Sequence, residues 1–459
     1  MTRAAVVLAL IVALTLGARS FAQGQMPIVG SGAALAFGFL LLAALQTGHI
    51  FHDLRLPHLT GFILCGAVFG PEVLGLMTSA MVRDLALVKG VAVGLIALLA
   101  GCELNFRRLL PRLGSIALFS AFGLAAAGLL LFGFFLAIST VLPVTAGMTV
   151  AQRVVVSLVC ANALCALSPA VVMGILSETG AAGPLSSLAL SIVVLADLAI
   201  VITFSLSSSV AGAVFPGQGG GGGFELLAAH IFGSIGVGLV IGLGLAIYMR
   251  RVRRRVALFI FGMFFVVAEA GIALHIDPLL CGLTAGLFLE NVSPVSGHEV
   301  IKATEPAAMP TFAVFFATVG AEVHVHAFFA VAAYAVGAAA TRAAGIWVGT
   351  RFAARFARRE QRHVARLIPL GMLPQAGIAL AIANLVKTAF KPWGEGMATL
   401  LLGAIVVNEM VGPILFRQAL ARAGEIGKKR EDDSHAGEAL PADRQQTAPI
   451  VIPAEPRVD

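Results

Sequence analysis

Two carboxylates lie inside stretches of the sequence that are otherwise apolar. Asp197 interrupts "VVLADLAIV" at 193–201, and Glu409 interrupts "VVNEMVGP" at 406–413. A charged group at the centre of a bilayer costs about 2.5–3.5 kcal/mol even on lenient scales, so such groups usually serve a function. A carboxylate can hold a proton or a metal cation, but not both at once. Asp197 is therefore predicted to be a site where a cation competes with a proton; the alternative is a hydrogen bond between helices.

Two apolar stretches carry a proline in a similar setting, Pro169 in "CALSPAVVMGIL" and Pro374 in "GMLPQAGIALAI". Proline removes a backbone donor and breaks a helix, and at membrane depth the freed carbonyls must face a cavity or polar partners. Each break lies one apolar span before a span that carries a carboxylate. Paired broken helices are typical of transporters built from inverted repeats, so we interpret the two breaks as parts of one midplane site. The alternative is two ordinary kinks.

Arg342 is the one basic residue well inside an apolar stretch, "AVGAAATRAAGIWVG" at 335–349. A cation at this depth needs a carboxylate or the C-terminal end of a helix as its partner, and Glu409 is a candidate. The alternative is that the side chain snorkels towards the basic loop that begins at Arg351. The sequence leaves both interpretations open.

The composition places these residues in an all-α, polytopic membrane protein. Hydrophobic residues make up 59% of the 459 residues and charged residues 12%, with a mean hydropathy of +0.95, whereas a soluble protein needs far more polar surface. Apolar stretches of about 20 residues, each able to cross a hydrocarbon core of about 30 Å, recur along the chain. About thirteen spans are predicted, near 27–48, 56–76, 86–104, 115–139, 152–177, 185–209, 225–249, 256–274, 277–290, 307–321, 327–349, 364–386 and 397–417.

The basic residues are divided unevenly between the loops, which predicts the orientation. Loops on one side carry 16 Lys and Arg, and loops on the other side carry five. Since cytoplasmic loops are rich in these residues, a periplasmic N-terminus and a cytoplasmic C-terminus in a bacterial inner membrane are expected. The same placement argues against nucleic-acid binding, although the net charge is +7.

The two ends of the chain differ from the apolar region between them. Residues 1–22 have a basic start, an apolar stretch and small residues at a possible cut after Ala22, which predicts a signal peptide; the alternative is an uncleaved first helix. Residues 23–424 are predicted to form the transmembrane domain, with a flexible glycine-rich connector at 215–224. Residues 425–459 are polar and aperiodic, and a disordered tail is expected. The sequence shows no nucleophile–base pair or metal cluster in a water-facing context, so neither an enzyme nor a cofactor is expected.

Five stretches of the sequence carry a recognisable pattern. In order, they are "LRLPHLTGFILCGAVFGPEVLGL", "VAVGLIALLAGCELNFRRL", "LSPAVVMGILSETGAAGPLSSLALSIVVLADLAIVI", "TFAVFFATVGAEVHV" and "LGMLPQAGIALAIA". The first two follow the pattern Pro-x-x-x-Gly…Gly…Gly-Pro and then Gly-x-Glu. With these stretches in this order, the sequence resembles the monovalent cation/proton antiporter-2 family over residues 30–425.

The resemblance implies a sodium/proton antiporter fold in a homodimer, with a mobile core domain and a dimerisation domain in each protomer. The core is expected near 115–209 and 327–417, with two broken helices that cross at the midplane. The ion-binding aspartate of the family falls on Asp197, the polar residue at the first break on Ser168, and the basic residue of the neighbouring helix on Arg342. Further ligands are expected among backbone carbonyls near Pro169 and Pro374.

Four positions depart from the family pattern. Ala196 replaces the polar residue that often precedes the aspartate, and Leu167 replaces a threonine that often precedes the serine and proline. Gln375 and Gly377 stand where an arginine and a glutamate are common, although a Pro-Gln-Ala-Gly form also occurs among relatives. The loss of a second carboxylate is associated with electroneutral exchange, so one proton per Na⁺ or K⁺ is expected, in an elevator-like cycle. The alternatives are a sodium-coupled organic anion symporter, in which Gln375 would donate to the anion, and a potassium efflux route or a non-transporting relative.

Overall fold

The structure is a computed structural model that describes residues 7–9, 11–13, 31–54, 56–215, 223–252, 254–274, 276–323, 325–357, 362–375, 377–391 and 393–428. Within these ranges all regular elements are helices, which confirms the predicted all-α class. The helices are α1 Ser31–Asp53, α2 His58–Phe69, α3 Ser79–Asp84, α4 Ala86–Glu103, α5 Phe106–Leu109, α6 Leu113–Ile138, α7 Val150–Cys165, α8 Pro169–Thr179, α9 Pro184–Val214, α10 Gly223–Arg251, α11 Val256–Leu274, α12 Pro278–Asn291, α13 Gly297–Ala321, α14 Val325–Ala353, α15 Arg362–Ala365, α16 Ile368–Gly371, α17 Gly377–Ala389 and α18 Gly394–Ala423. Most of the predicted signal peptide (1–22), of the glycine-rich connector and of the tail lies outside the described residues.

Each of the thirteen predicted spans overlaps at least one of these helices. Eight helical stretches in the described part of the chain are long and apolar enough to cross a membrane, and three shorter helices are also apolar. The protein is therefore a multi-pass membrane protein. The fifth and twelfth predicted spans are the exceptions to one helix per span, because each is divided.

The fifth span consists of α7 and α8, separated by residues 166–168 in extended conformation. Pro169 is the first residue of α8. An N–H group at this position has no partner within the helix, so a proline here costs no intrahelical hydrogen bond. The twelfth span is divided twice, into α15, α16 and α17, with Pro374 in the second interruption. The sequence predicted one interruption here; Pro369, near the start of α16, accounts for the other, because it lacks the N–H that would bond to the carbonyl of Ala365, the last residue of α15.

Small residues allow several helices to approach closely. A side-chain carbon at Gly282 of α12 would overlap the carbonyl of Gly94 in α4, and one at Gly349 of α14 would overlap the carbonyl of Phe122 in α6. Because hydrocarbon tails compete with apolar side chains for contact, such close backbone packing is a main source of helix association in membranes. One buried cluster joins α4, α10, α11 and α12, and a larger one joins most other helices.

The chain after α18 turns back onto the bundle. Gly424 ends α18 in the left-handed conformation, with φ 67°. The buried carboxylate of Glu425 then accepts hydrogen bonds from the N–H groups of Leu185 and Ser186 (2.6 and 2.8 Å) and from the hydroxyl of Ser186 (2.6 Å). The structure thus differs from the predicted tail boundary at 425. A carboxylate is stabilised at a helix N-terminus, where backbone N–H groups lack partners, so residue 425 is ordered by α9.

Candidate functional site

The first break places a serine and a backbone amide in the protein interior. Ser168 is buried and extended (φ −139°, ψ 99°), and its Oγ accepts a hydrogen bond of 3.2 Å from the N–H of Val171. This is an N-cap of α8, which Pro169 begins. The residue before it, Leu167, is fully buried and supplies an amide but no side-chain oxygen.

The second break lies against the first. Gln375, one residue after Pro374, is fully buried. Its Nε2 donates to the carbonyl of Leu164 at the end of α7 (3.1 Å), and its Oε1 accepts from Nδ2 of Asn408 in α18 (2.8 Å). The two broken helices therefore meet, as the sequence predicted from their prolines. Both ends of the Gln375 amide are engaged, so this group is occupied in holding the crossing together.

Arg342 joins the two breaks directly. Its guanidinium is fully buried and donates from Nη1 to the carbonyl of Leu373 (2.9 Å) and from Nη2 to the carbonyls of Ala166 (3.0 Å) and Met372 (3.3 Å). These carbonyls were freed by the interruptions, and a planar cationic fork satisfies several of them at once. The side chain thus points to the helix ends and not towards the basic loop at Arg351.

Asp197 lies in α9 beside the first break. The carboxylate is buried, and its Oδ1 accepts a hydrogen bond of 3.2 Å from the N–H of Leu167. Its Oδ2 is buried and has no hydrogen-bond partner among the described residues. Arg342 forms no ion pair with it within that part of the chain. The site therefore offers one carboxylate oxygen that can take a proton or a cation.

Glu409 occupies a different environment from the other predicted site residues. It is 1% exposed, and neither carboxylate oxygen has a hydrogen-bond partner among the described residues. It lines a cavity of about 250 Å³ together with residues of α13, α14, α17 and α18. No hydrogen bond joins it to Arg342, so the structure brings Asp197, Ser168, Gln375 and Arg342 together at the breaks and leaves Glu409 on another face of α18.

Sequence reasoning missed three polar residues that join helices of the site to one another or to the second break. Asn408 holds Gln375, and Thr203 of α9 donates to Oδ1 of Asn162 in α7 at 3.1 Å. Asn408 could have been found, because an amide next to a carboxylate within an apolar span is as unusual as the carboxylate itself. Asn162 and Thr203 carry weaker signals, since side-chain hydrogen bonds of this kind are common between membrane helices.

Comparison with known proteins gives one family and one fold. The family described as "Sodium/hydrogen exchanger, transmembrane" matches residues 37–422. The chain is also similar to two solved structures of the sodium proton antiporter MjNhaP1 from Methanocaldococcus jannaschii. The structure at pH 8 has a TM-score of 0.59 at 14% identity and covers 84% of this chain and 96% of that chain. The electron-microscopy structure has a TM-score of 0.61 at 14% identity and covers 85% and 97%. No curated protein matches.

Proposed function

This chain belongs to the sodium/hydrogen exchanger family, and on that premise we propose that Asp197 carries one monovalent cation, Na⁺ or K⁺, in exchange for one proton. Membership makes the protein a membrane transporter for cations and protons and not an enzyme. We also propose which ion is carried, which residues bind it, the stoichiometry of the exchange and the movement that carries the ion.

The observation that carries the proposal is the buried Oδ2 of Asp197, which has no hydrogen-bond partner among the residues that the structure describes. A buried ionised carboxylate is costly unless a positive charge or hydrogen bonds compensate for it. The N–H of Leu167 supplies one hydrogen bond, which leaves room for one cation or one proton on the other oxygen. Because each ligand excludes the other, cation binding on one side of the membrane is coupled to proton release there.

The remaining ligands of the cation would come from the first break. Ser168 already accepts one hydrogen bond at its Oγ and has a lone pair left for a cation. Ala196 is fully buried and brings no second carboxylate, which supports exchange of one proton per cation. A one-for-one exchange moves no net charge, so its rate should not change when a membrane potential is imposed.

We propose that the core, residues 115–209 and 327–417, moves as an elevator against the remainder. Arg342 of α14 donates to both broken helices and Asn408 of α18 donates to the second, so these four elements would move together. The proposed setting is a homodimer in a bacterial inner membrane, with the N-terminus periplasmic and the C-terminus cytoplasmic, in agreement with the distribution of Lys and Arg.

Proton flux in everted vesicles tests the function. After a pH gradient is imposed, sodium, lithium and potassium chloride are added in turn to vesicles with the native protein, Asp197→Asn or Asp84→Asn. Asp84 is an exposed carboxylate at the end of α3 and serves as the matched control. The native protein and Asp84→Asn should dissipate the gradient with at least one cation, and Asp197→Asn should not. Full activity of Asp197→Asn would exclude this role for Asp197.

A further inference from the structure

The cavity beside Glu409 has the features of a binding site that the exchange at Asp197 does not use. It measures about 250 Å³ and is bordered by the C-terminal end of α13, by the start of α14, by α17 and by the first half of α18. Its walls are largely apolar, with Phe328 and Leu402 among them. Glu409, 1% exposed, supplies the buried carboxylate of its lining.

The other charges around the cavity compensate one another. Lys89 donates to Oε2 of Glu322 at 2.6 Å, and Nζ of Lys387 lies 4.0 Å from Oε1 of Glu395. Glu322, Lys387 and Glu395 line the cavity, and each of these pairs is more exposed than Glu409. Among the described residues, Glu409 is thus the carboxylate in this cavity that has no counter-ion.

A second cation would provide that counter-ion. An ionised carboxylate in a buried setting requires a positive partner or hydrogen bonds, and neither oxygen of Glu409 has a donor within the described part of the chain. The apolar walls supply few oxygen ligands, so a small cation would retain part of its hydration shell, for which the cavity has room. Thr399 adds a hydroxyl oxygen to the lining; its proton is donated to the carbonyl of Glu395 at 3.0 Å.

The position of Glu409 connects this cavity to the crossing. Its neighbour Asn408 donates to Gln375, and successive residues of a helix point about 100° apart, so α18 presents one side chain to the cavity and the other to the second break. Gly412, one turn further, packs against the backbone of Pro374. A cation at Glu409 therefore sits on the helix that holds the second break in place.

We propose that Glu409 and its cavity form a second binding site for a hydrated monovalent cation, in addition to the exchange site at Asp197. The identity of that cation rests on the proposed function. The cavity lies at the end of the bundle that contains Lys89 and Lys387, which the charge distribution predicts to be periplasmic. The site collects the cation on that side and is separate from the site of exchange.

Equilibrium binding of radioactive sodium to the purified full-length protein, at alkaline pH where protons compete least, tests the second site. The expected number of ions per protomer is two for the native protein, one for Asp197→Asn, one for Glu409→Gln and none for the double variant. Glu395→Gln, an exposed carboxylate at the same cavity, should still bind two ions. Glu409→Asp, which keeps the charge, should restore the second ion with an affinity lower by roughly tenfold, the effect of about 1.4 kcal/mol.

The outcomes separate this proposal from the exchange at Asp197. One ion in the native protein and none in Asp197→Asn would overturn the second site and leave the exchange intact. Two ions in Glu409→Gln would likewise overturn it. Sodium-driven proton flux that persists in Asp197→Asn would instead contradict the exchange assignment, whatever number of ions is bound. Equal melting temperatures of the native protein and Glu409→Gln would establish that the variant is folded and that the loss of an ion is not caused by unfolding.

Discussion

At the scale of single residues, Arg342 shows most clearly what the sequence could predict. Its depth in an apolar span indicated that it needs a partner, and a carboxylate, the C-terminal end of a helix and a snorkelling side chain were all compatible with the sequence. The structure gives it the carbonyls of Ala166, Met372 and Leu373. These carbonyls are free to accept only because two helices that are distant in sequence are interrupted where they meet in space. The sequence around Arg342 contains no local pattern that predicts this contact.

Replacement of Arg342 should destabilise the crossing. Arg342→Ala leaves three buried carbonyls unpaired, at about 1–3 kcal/mol for each unsatisfied group. Arg342→Lys keeps the charge but lacks the fork that reaches both breaks, so an intermediate loss is expected. The melting temperature of the purified protein should fall in the order native, Lys, Ala.

Arg351→Ala is the control for this series, because Arg351 is exposed and lies over the ring of Trp347, 4.7 Å from its centroid. It should change the melting temperature little. Equal stability of native protein and Arg342→Ala would mean that the carbonyl contacts of Arg342 do not hold the breaks together.

At the scale of elements, hydropathy predicted where helices occur, because length and apolar composition are local properties. The proline pair predicted which spans are interrupted, and this was confirmed for α7–α8 and α16–α17. The other interruption of the twelfth span, next to Pro369, was not predicted. Side-chain pairs between helices, such as Gln375 with Asn408, depend on the packed arrangement and have no periodic signal in the sequence.

Close helix packing predicts that alanine substitutions at two glycines differ in their effect on stability. Gly282→Ala places a side-chain carbon against the carbonyl of Gly94, so α12 and α4 must separate, and a loss of about 1–3 kcal/mol typical of overpacking is expected. Gly262→Ala in α11 meets open space and should leave the melting temperature nearly unchanged. The two purified variants are compared by thermal unfolding; an equal effect of both would mean that α12 and α4 are not closely packed.

At the scale of the whole molecule, Glu425 connects the end of α18 to the start of α9 through hydrogen bonds. The polar composition after residue 424 predicted a disordered segment, and composition contains no information about which helix N-terminus a carboxylate will reach. The fold class and the approximate spans could thus be predicted from the sequence. The connections that fix the spans relative to one another could not.

Two truncations test this connection. A chain that ends after Gly424 loses the three hydrogen bonds that Glu425 accepts, each worth about 1.5–3 kcal/mol for a charged acceptor, and should unfold at a lower temperature. A chain that ends after Lys428 keeps them and should unfold like the full chain. Glu425→Ala in the full chain should reproduce the first truncation, and a native melting temperature in that variant would show that the contact contributes nothing.

The central claim is that a cation and a proton compete for Asp197, and proton release upon cation binding tests it most directly. Purified Glu409→Gln protein, in which Asp197 is the remaining proposed site, is titrated with sodium chloride in weakly buffered solution while released protons and bound sodium are counted. One proton should be released per cation bound, and the double variant that also carries Asp197→Asn should neither release protons nor bind sodium. Stoichiometric sodium binding without proton release would contradict it.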